Sequence, residues 1–494
     1  MLFTLFSSAL SLSAAVSALN PIAVRNNVFY DTSTNKRFFM VGVDYQPGGA
    51  SAVSAGADPL SDIEICRRDV FLFQNLGINT VRVYSVDNTI NHDACMSLYN
   101  AAGIYLMLDV NSPLEGQHLN RDEPWTTYNS IYAEHVFRTI EAFGGYENTL
   151  GFFSGNELIN SDKSAFASAP YIKAITRDMK AYIRAHLKRP IPVGYSAADD
   201  IKYRIETATY MACGTDSDGV NDFYSINSYQ WCGQQTIQTS GYDTLISQFS
   251  NFTLPLFFSE YGCNEVTPRS FGEVAAVYSS QMTPSFSGGL VYEFSQEANN
   301  YGLVKISSSG TAQVLADYNA LQSRFAGISG LPTDIAGTQA SAKTCPAPSS
   351  YTYINGSLAV PSLSEIQVLI KSGVSQTPGT LSSSVPLTQA TNTILDVNGA
   401  VISNKAIKSA SSSGSVGANL KTLFGTNTGT ASLASATGKV ASAARGSGTV
   451  EAARAATTGT QTAQSLATSV AQGGRGLLMA GAFLCVSSLS FILL

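Results

Sequence analysis

Eight short apolar runs, separated by amphipathic stretches, constrain this chain more than any other feature. They are Phe38 to Val43, Thr80 to Tyr84, Ile104 to Val110, Leu150 to Ser154, Ile191 to Tyr195, Phe223 to Tyr229, Pro255 to Ser259 and Leu290 to Phe294. β-Branched and aromatic side chains dominate them, as in strands buried on both faces. Helical spacing fills the intervals, for example from Cys66 to Phe73, ending at Gly77, and from Tyr171 to Leu187. Strand followed by helix, repeated, predicts a parallel α/β sheet. Eight such units predict a closed (β/α)8 TIM barrel over residues 19–330.

The flanks have a different character. Residues 1–18 are apolar and small and end in Val16-Ser17-Ala18, the pattern of a cleaved signal peptide. Residues 331–404 carry recurring prolines and Cys345, which is expected to tie this extension to the barrel. Residues 405–474 are rich in Ser, Thr, Ala and Gly, with Phe424 as their one aromatic. Such a stretch buries no core and reads as a disordered stalk. Residues 475–494 run apolar to Leu494, with no charge after Arg475 and with small residues such as Ala467, Thr468 and Ser469 upstream. That is the layout of a glycosylphosphatidylinositol (GPI) attachment signal whose tail is removed; a retained transmembrane helix is the alternative. The expected location is therefore the outer face of the plasma membrane, or the cell wall.

Charge narrows the partners. With 29 Lys and Arg against 35 Asp and Glu, the net charge is −6. No basic field offers itself to nucleic acid, whereas 23 tyrosines and 24 phenylalanines suit a surface that meets neutral polymers. Of seven cysteines, Cys485 lies in the tail; the other six form an even set, which in a secreted chain implies three disulfides. No paired CxxC occurs and the four histidines are scattered, so neither a metal nor an organic cofactor is expected. Asn251 and Asn355 open N-glycosylation sequons.

Carboxylates at the C-terminal ends of barrel strands point into the mouth where chemistry occurs. Glu157 follows the fourth run and Glu260 ends the seventh. These strands lie across the barrel from each other, so the two side chains converge. A retaining glycosidase needs such a pair about 5–5.5 Å apart, one as acid and later base, the other as nucleophile. Asn156 before Glu157 strengthens the pattern, because in the large clan of retaining barrels this Asn bonds the sugar 2-hydroxyl. Asp44, Asp109, Glu293 and Glu297 are the rival carboxyls. Strand alternation predicts that only one of Tyr292 and Glu293 faces inward, and Tyr292 is the expected one.

The motifs GVDYQPGG (42–49), NTVRVYSVD (79–87), NRDEPW (120–125), LGFFSGNE (150–157), NSYQWCG (227–233), FFSEYGCNEVTPR (257–269) and GGLVYEFSQEANNYGLV (288–304) occur in order along the barrel. With them the chain resembles the fungal β-1,3-glucanosyltransferases of glycoside hydrolase family 72, the Gas/Gel/Phr proteins. The resemblance implies Glu157 as acid/base and Glu260 as nucleophile, with Gln46, Tyr84, Asp109, Asn156, Tyr229 and Tyr292 lining the glucan cleft. It also implies the bridges Cys66–Cys95, Cys213–Cys345 and Cys232–Cys263. Chain position is consistent with that pairing: Cys232 and Cys263 follow neighbouring strands, and Cys66 and Cys95 open consecutive helices. Some members carry a cysteine-rich carbohydrate-binding module; here only Cys345 lies between barrel and tail, resembling the subfamily without it.

The implied activity is cleavage of β-1,3-glucan and transfer of the retained piece to a second glucan chain, by a monomer. The environment of the pair is expected to raise the pKa of the acid relative to the nucleophile. Two other functions share these residues: a hydrolytic endo-β-1,3-glucanase, and an inactive glucan-binding wall protein.

Overall fold

The computed structural model describes residues 19–335, 343–383 and 385–410. The expected signal peptide, the apolar tail and the stalk beyond residue 410 lie outside the described residues.

Three short antiparallel strands come first: β1 (Ile22–Arg25), β2 (Val28–Asp31) and β3 (Arg37–Phe38). Eight parallel strands then close into a barrel: β4 (Met40–Asp44), β5 (Thr80–Val83), β6 (Tyr105–Asp109), β7 (Thr149–Asn156), β8 (Val193–Ala198), β9 (Phe223–Asn227), β10 (Leu256–Tyr261) and β11 (Phe286–Val291). Helices α1 (Ile63–Leu76), α2 (Asp93–Ala102), α3 (Ser130–Gly144), α4 (Asp162–His186), α5 (Arg204–Met211), α6 (Tyr242–Phe249) and α7 (Glu273–Val277) connect successive strands, and α8 (Ala316–Phe325) follows the last. The fold is the expected (β/α)8 barrel.

Local chemistry explains the element ends. Asp62 caps α1 by accepting from the Glu64 and Ile65 amides, and Gly77 ends it at φ +83°, where a Cβ would be strained. The helix expected from Tyr171 begins earlier, at Asp162, and carries Pro170 inside it. Proline ordinarily marks a helix boundary; here the start is set by Ser161 and Ser164, whose side chains bond each other's backbone amides. The eighth strand begins at Phe286 rather than Leu290. Its Gly288-Gly289 pair reads poorly as strand, but a Cβ at Gly288 would lie 2.0 Å from the Met40 carbonyl oxygen, so this close pairing admits only glycine.

The barrel interior is layered. Phe29, Phe38, Met40, Met107, Leu150, Phe153, Phe223, Phe257 and Leu290 form an apolar floor. The β1–β3 sheet closes the end below it, with the Phe29 ring 5.9 Å from those of Phe223 and Phe257. Two residues further along their strands, on the same face, stand Asp109 and Ser259, and Asn227 stands four residues beyond Phe223. Arg82 lies over the Phe153 ring at 4.5 Å and begins the polar layer of the mouth.

The C-terminal extension wraps the outside of the barrel. Among the described residues it contains α9 (Ser364–Ser372), and a small sheet pairs β12 (Val304–Ile306), β13 (Ala312–Val314) and β14 (Ile394–Leu395). The extension is tied successively to Glu206 of α5, Tyr182 of α4, and Asp93 and Ser97 of α2 by amides of Tyr353, Val374, Thr380 and Ser382. Residues 405–410, expected to start the stalk, belong to this packed belt. Lys408 and Gln74 exchange two hydrogen bonds, and the Ala410 amide donates to the Ala101 carbonyl at 2.8 Å. Burial of Ile407 and Ala410 holds the segment down. No described helix is long and apolar enough to cross a membrane.

Candidate active site

Glu260, in β10, is 6% exposed and is gripped by three donors. The Tyr84 hydroxyl donates to Oε1 at 2.8 Å, the Tyr229 hydroxyl to Oε2 at 2.7 Å, and the Arg82 guanidinium to Oε1 at 3.3 Å. Burial is the largest influence on its carboxyl and, with the charge of Glu157, pushes its pKa up to about 7 against the opposing pull of Arg82 and the two phenols. Glu260 is the more deeply enclosed of the two carboxyls.

Glu157 follows β7 directly, half-buried, with φ +48°. A left-handed conformation in a non-glycine residue is worth on the order of 1 kcal/mol of strain, and it turns the chain at the strand's end. The Glu157 amide, donating to the Ser196 carbonyl at 2.9 Å, holds the turn. Its Oε1 accepts from Asn227 Nδ2 at 2.9 Å.

The other expected cleft residues divide by what occupies them. Gln46 Oε1 accepts from the Tyr84 and Ser85 amides at 3.0 and 3.1 Å, and its Nε2 donates to the Ser85 carbonyl. Gln46 thus fixes the backbone that carries Tyr84. Asp109 pairs with Arg82 through both oxygens, at 3.1 and 2.9 Å, while also lining a cleft with Tyr84, Asn111, His118 and Asn156. Tyr292 packs its ring within 6.4 Å of Tyr84 and 6.3 Å of Tyr229, and Tyr301 joins this cluster at 5.2 Å.

Among the rival carboxyls, Glu297 Oε1 holds a loop, accepting from the Gly48 amide and the Ser295 hydroxyl. Glu293 does not point outward as alternation predicted. It is buried, accepts from Asn299 at 2.8 Å, and interacts with Glu260; burial pushes its pKa up to about 8. β11 ends at Val291, so the period of two no longer governs residues 292 and 293. Asp44 is wholly buried with neither carboxyl oxygen hydrogen-bonded among the described residues, and burial raises its pKa strongly.

Two residues at the centre were not anticipated. Arg82 is the cation that joins Asp109 to Glu260. Asn227 joins Glu157 to Asn156. Both stand on the inward face of their strands, and an inward charge or amide in a buried strand signals an internal partner.

Among the described residues three disulfides are present: Cys66–Cys95, Cys213–Cys345 and Cys232–Cys263, with Cα–Cα separations of 5.7, 4.7 and 5.2 Å. Among the described residues, the one metal-like grouping is Cys232, Cys263 and Glu265. Its two sulfurs are bonded to each other, so it offers no thiolates. Asn251 is exposed and Asn355 partly so.

Comparison with known proteins agrees with this geometry. The glucanosyltransferase model of glycoside hydrolase family 72 matches residues 11–329. The 1,3-beta-glucanosyltransferase GAS4 of Saccharomyces cerevisiae is 56% identical over 313 residues, which cover 63% of this chain and 66% of that protein, just under two thirds of its length. The 1,3-beta-glucanosyltransferase gel2 of Aspergillus fumigatus is 50% identical over 321 residues, covering 65% of this chain and 67% of the relative. The structure of Saccharomyces cerevisiae Gas2p in complex with laminaripentaose superposes with a TM-score of 0.63 at 38% identity, covering 67% of this chain and 75% of that one. The chain belongs to the glucanosyltransferase family, glycoside hydrolase family 72.

Proposed function

We propose that this protein is a retaining β-1,3-glucanosyltransferase that elongates cell-wall glucan. The observation that carries the reading is the pair of carboxyls at β10 and just after β7, one gripped by three donors and one held by a single amide side chain. The names of the relatives and the laminaripentaose bound by Gas2p support β-1,3-glucan as donor and acceptor.

A glucan lies in the cleft between the glutamates. Glu260 attacks the anomeric carbon while Glu157 gives its proton to the glycosidic oxygen, and the reducing-side piece leaves. The ionised Glu157 then takes the proton of the 3-hydroxyl at the non-reducing end of a second glucan. That oxygen displaces Glu260 and restores a β-1,3 bond. The phenols of Tyr84 and Tyr229 and the Arg82 guanidinium stabilise the Glu260 carboxylate before attack and after release. Tyr292, Asn156 and the outer edge of Asp109 face the sugar, and aromatic rings suit its apolar faces. Water in the acceptor's place would give hydrolysis, so the ratio of the two outcomes depends on how well the acceptor site holds sugar.

The three disulfides and two N-glycosylation sequons suit a secreted protein, and the GPI signal would hold it at the outer face of the plasma membrane, as a monomer. The test is to incubate the soluble protein with a reduced β-1,3-gluco-oligosaccharide and follow product mass. Products longer than the donor, absent in Glu157→Gln, are expected. Only shorter products would make it a hydrolase, and an unchanged substrate would leave a binding role.

A further inference from the structure

The amide of Asn227 sits where the two halves of the site meet. It is 3% exposed at the end of β9. Nδ2 donates to Glu157 Oε1 at 2.9 Å and to Asn156 Oδ1 at 3.1 Å. Oδ1 accepts from the hydroxyl of Ser259, the residue before Glu260, at 2.7 Å, and lies 3.0 Å from the Ser196 hydroxyl. Ser196 in turn donates to Asn156 Oδ1 at 2.8 Å. Every polar atom of the Asn227 side chain is therefore engaged.

A count of protons gives this arrangement its meaning. An amide N–H donates and cannot accept. Glu157 Oε1 thus faces a hydrogen already, and a proton on that oxygen would oppose it. The acidic proton belongs on Oε2, the oxygen that no described residue holds. The same count fixes Asn156: its carbonyl takes Ser196 and Asn227, so its Nδ2 is turned toward the cleft as a donor. We infer that Asn227 is a positioning residue that confines the proton of Glu157 to its cleft-facing oxygen and orients Asn156 as a donor to the sugar. The inference rests on the acid/base role proposed for Glu157 and says how that role is directed.

Its consequences differ between the two steps. In the first, the proton leaves Oε2 for the glycosidic oxygen while the Asn227 bond to Oε1 persists and strengthens, since a hydrogen bond to a charged oxygen is the stronger kind. In the second, the carboxylate so stabilised takes the acceptor's proton at the same Oε2. The titratable groups that face Glu157 are Glu260 from β10 and Tyr195 from β8, the latter also within the field of Arg121.

Asn227→Ala and the near-isosteric Asn227→Asp test this on a β-1,3-gluco-oligosaccharide and on the matching glycosyl fluoride, whose leaving group needs little protonation. General acid catalysis is worth about 100- to 10,000-fold. A misdirected acid in Asn227→Ala should lose part of that, about 10- to 100-fold in kcat on the oligosaccharide. Fluoride release in the first turnover, which precedes any step that uses Glu157 as base, should stay within a few-fold of wild type, with the following transfer to an acceptor slowed. Asn227→Asp brings a second carboxyl to Oε1 and should move the basic limb of the pH–rate profile upward. Equal losses on both donors in the first turnover, or a pH profile in Asn227→Asp that matches wild type, would overturn the inference. Failure of the wild-type protein to make longer products would instead overturn transfer itself, and the fluoride comparison would still read the role of Asn227 in hydrolysis.

Discussion

The floor and the mouth of the barrel are built from the same eight strands with the same side-chain period, yet they are opposite in character. On the floor, phenylalanines from β7, β9 and β10 pack on one another and on the sheet beneath. Two residues along, Asp109, Ser225 and Ser259 occupy the same face, with Asn227 one alternation higher and Arg82 joining Glu260 to Asp109. One step of the pleat separates apolar burial, which stabilises the fold, from buried polar groups that stabilise it only while every partner is present. The polar layer is kept in place by what it stands on.

Four experiments can break or sharpen this contrast. The largest effect belongs to Glu260→Gln. Its transfer activity should fall on the order of 10,000-fold or more, as for removal of other covalent nucleophiles, with no loss of melting temperature, because a buried carboxyl is exchanged for a neutral amide. A variant that lost stability as well would tie the mouth into the fold more tightly than the layering suggests.

Phe223→Ala should reverse that pattern. It removes a floor ring that packs on Phe29, Phe153 and Phe257, at a cost of about 3–5 kcal/mol. The fraction that remains folded should retain wild-type kcat; a fall in kcat would show the floor setting the geometry of the mouth. Arg82→Met lies between these regions, where breaking a buried ion pair is worth about 3–5 kcal/mol. Both stability and activity should fall, and unfolding curves that matched wild type would mean that the acids of the mouth manage without a cation.

The smallest effect is in pH. Glu260 is raised from 4.5 to about 7 and Glu293 from 4.5 to about 8. Between pH 4.5 and about 8 these two carboxyls therefore bind more protons in the folded chain than in the unfolded one, so their contribution to stability should fall as pH rises through that window. Melting temperatures across it would check this. The double variant Glu260→Gln/Glu293→Gln should flatten the slope more than Glu273→Gln does, Glu273 being a buried acid of α7 raised to about 7. Over the same range kcat/KM should rise through pH 7 as Glu260 ionises.

The strands were legible because a strand buried on both faces must be apolar almost throughout, and eight such runs have few ways to arrange themselves. Glu157 and Glu260 were legible because carboxyls at strand ends break that rule. Arg82 and Asn227 break it as well, and the alternation Thr80-Arg82 and Phe223-Ser225-Asn227 was there to be read. They went unnoticed because they act on other side chains and belong to no catalytic pair. Of the belt, only the Cys345 tie was legible; the rest was beyond reach for a different reason. Its ties run mostly through backbone amides to helix flanks, and backbone bonds leave no period in the sequence.

That belt has a mechanical consequence. The Leu19 amide donates to Asn100 at 3.0 Å and the Ala410 amide to the neighbouring Ala101 at 2.8 Å. The described fold therefore starts and finishes at one spot, the end of α2, which lies at the floor side of the barrel because β6 begins just after it. Tension applied at residue 410 would enter there, unzip the bonds to Gln74, and peel the belt backward around the helices. The Cys213–Cys345 bridge would stop the peeling. A pull from the C-terminal side thus meets a sacrificial strap and then a covalent stop, while the strands that aim the two glutamates stay slack.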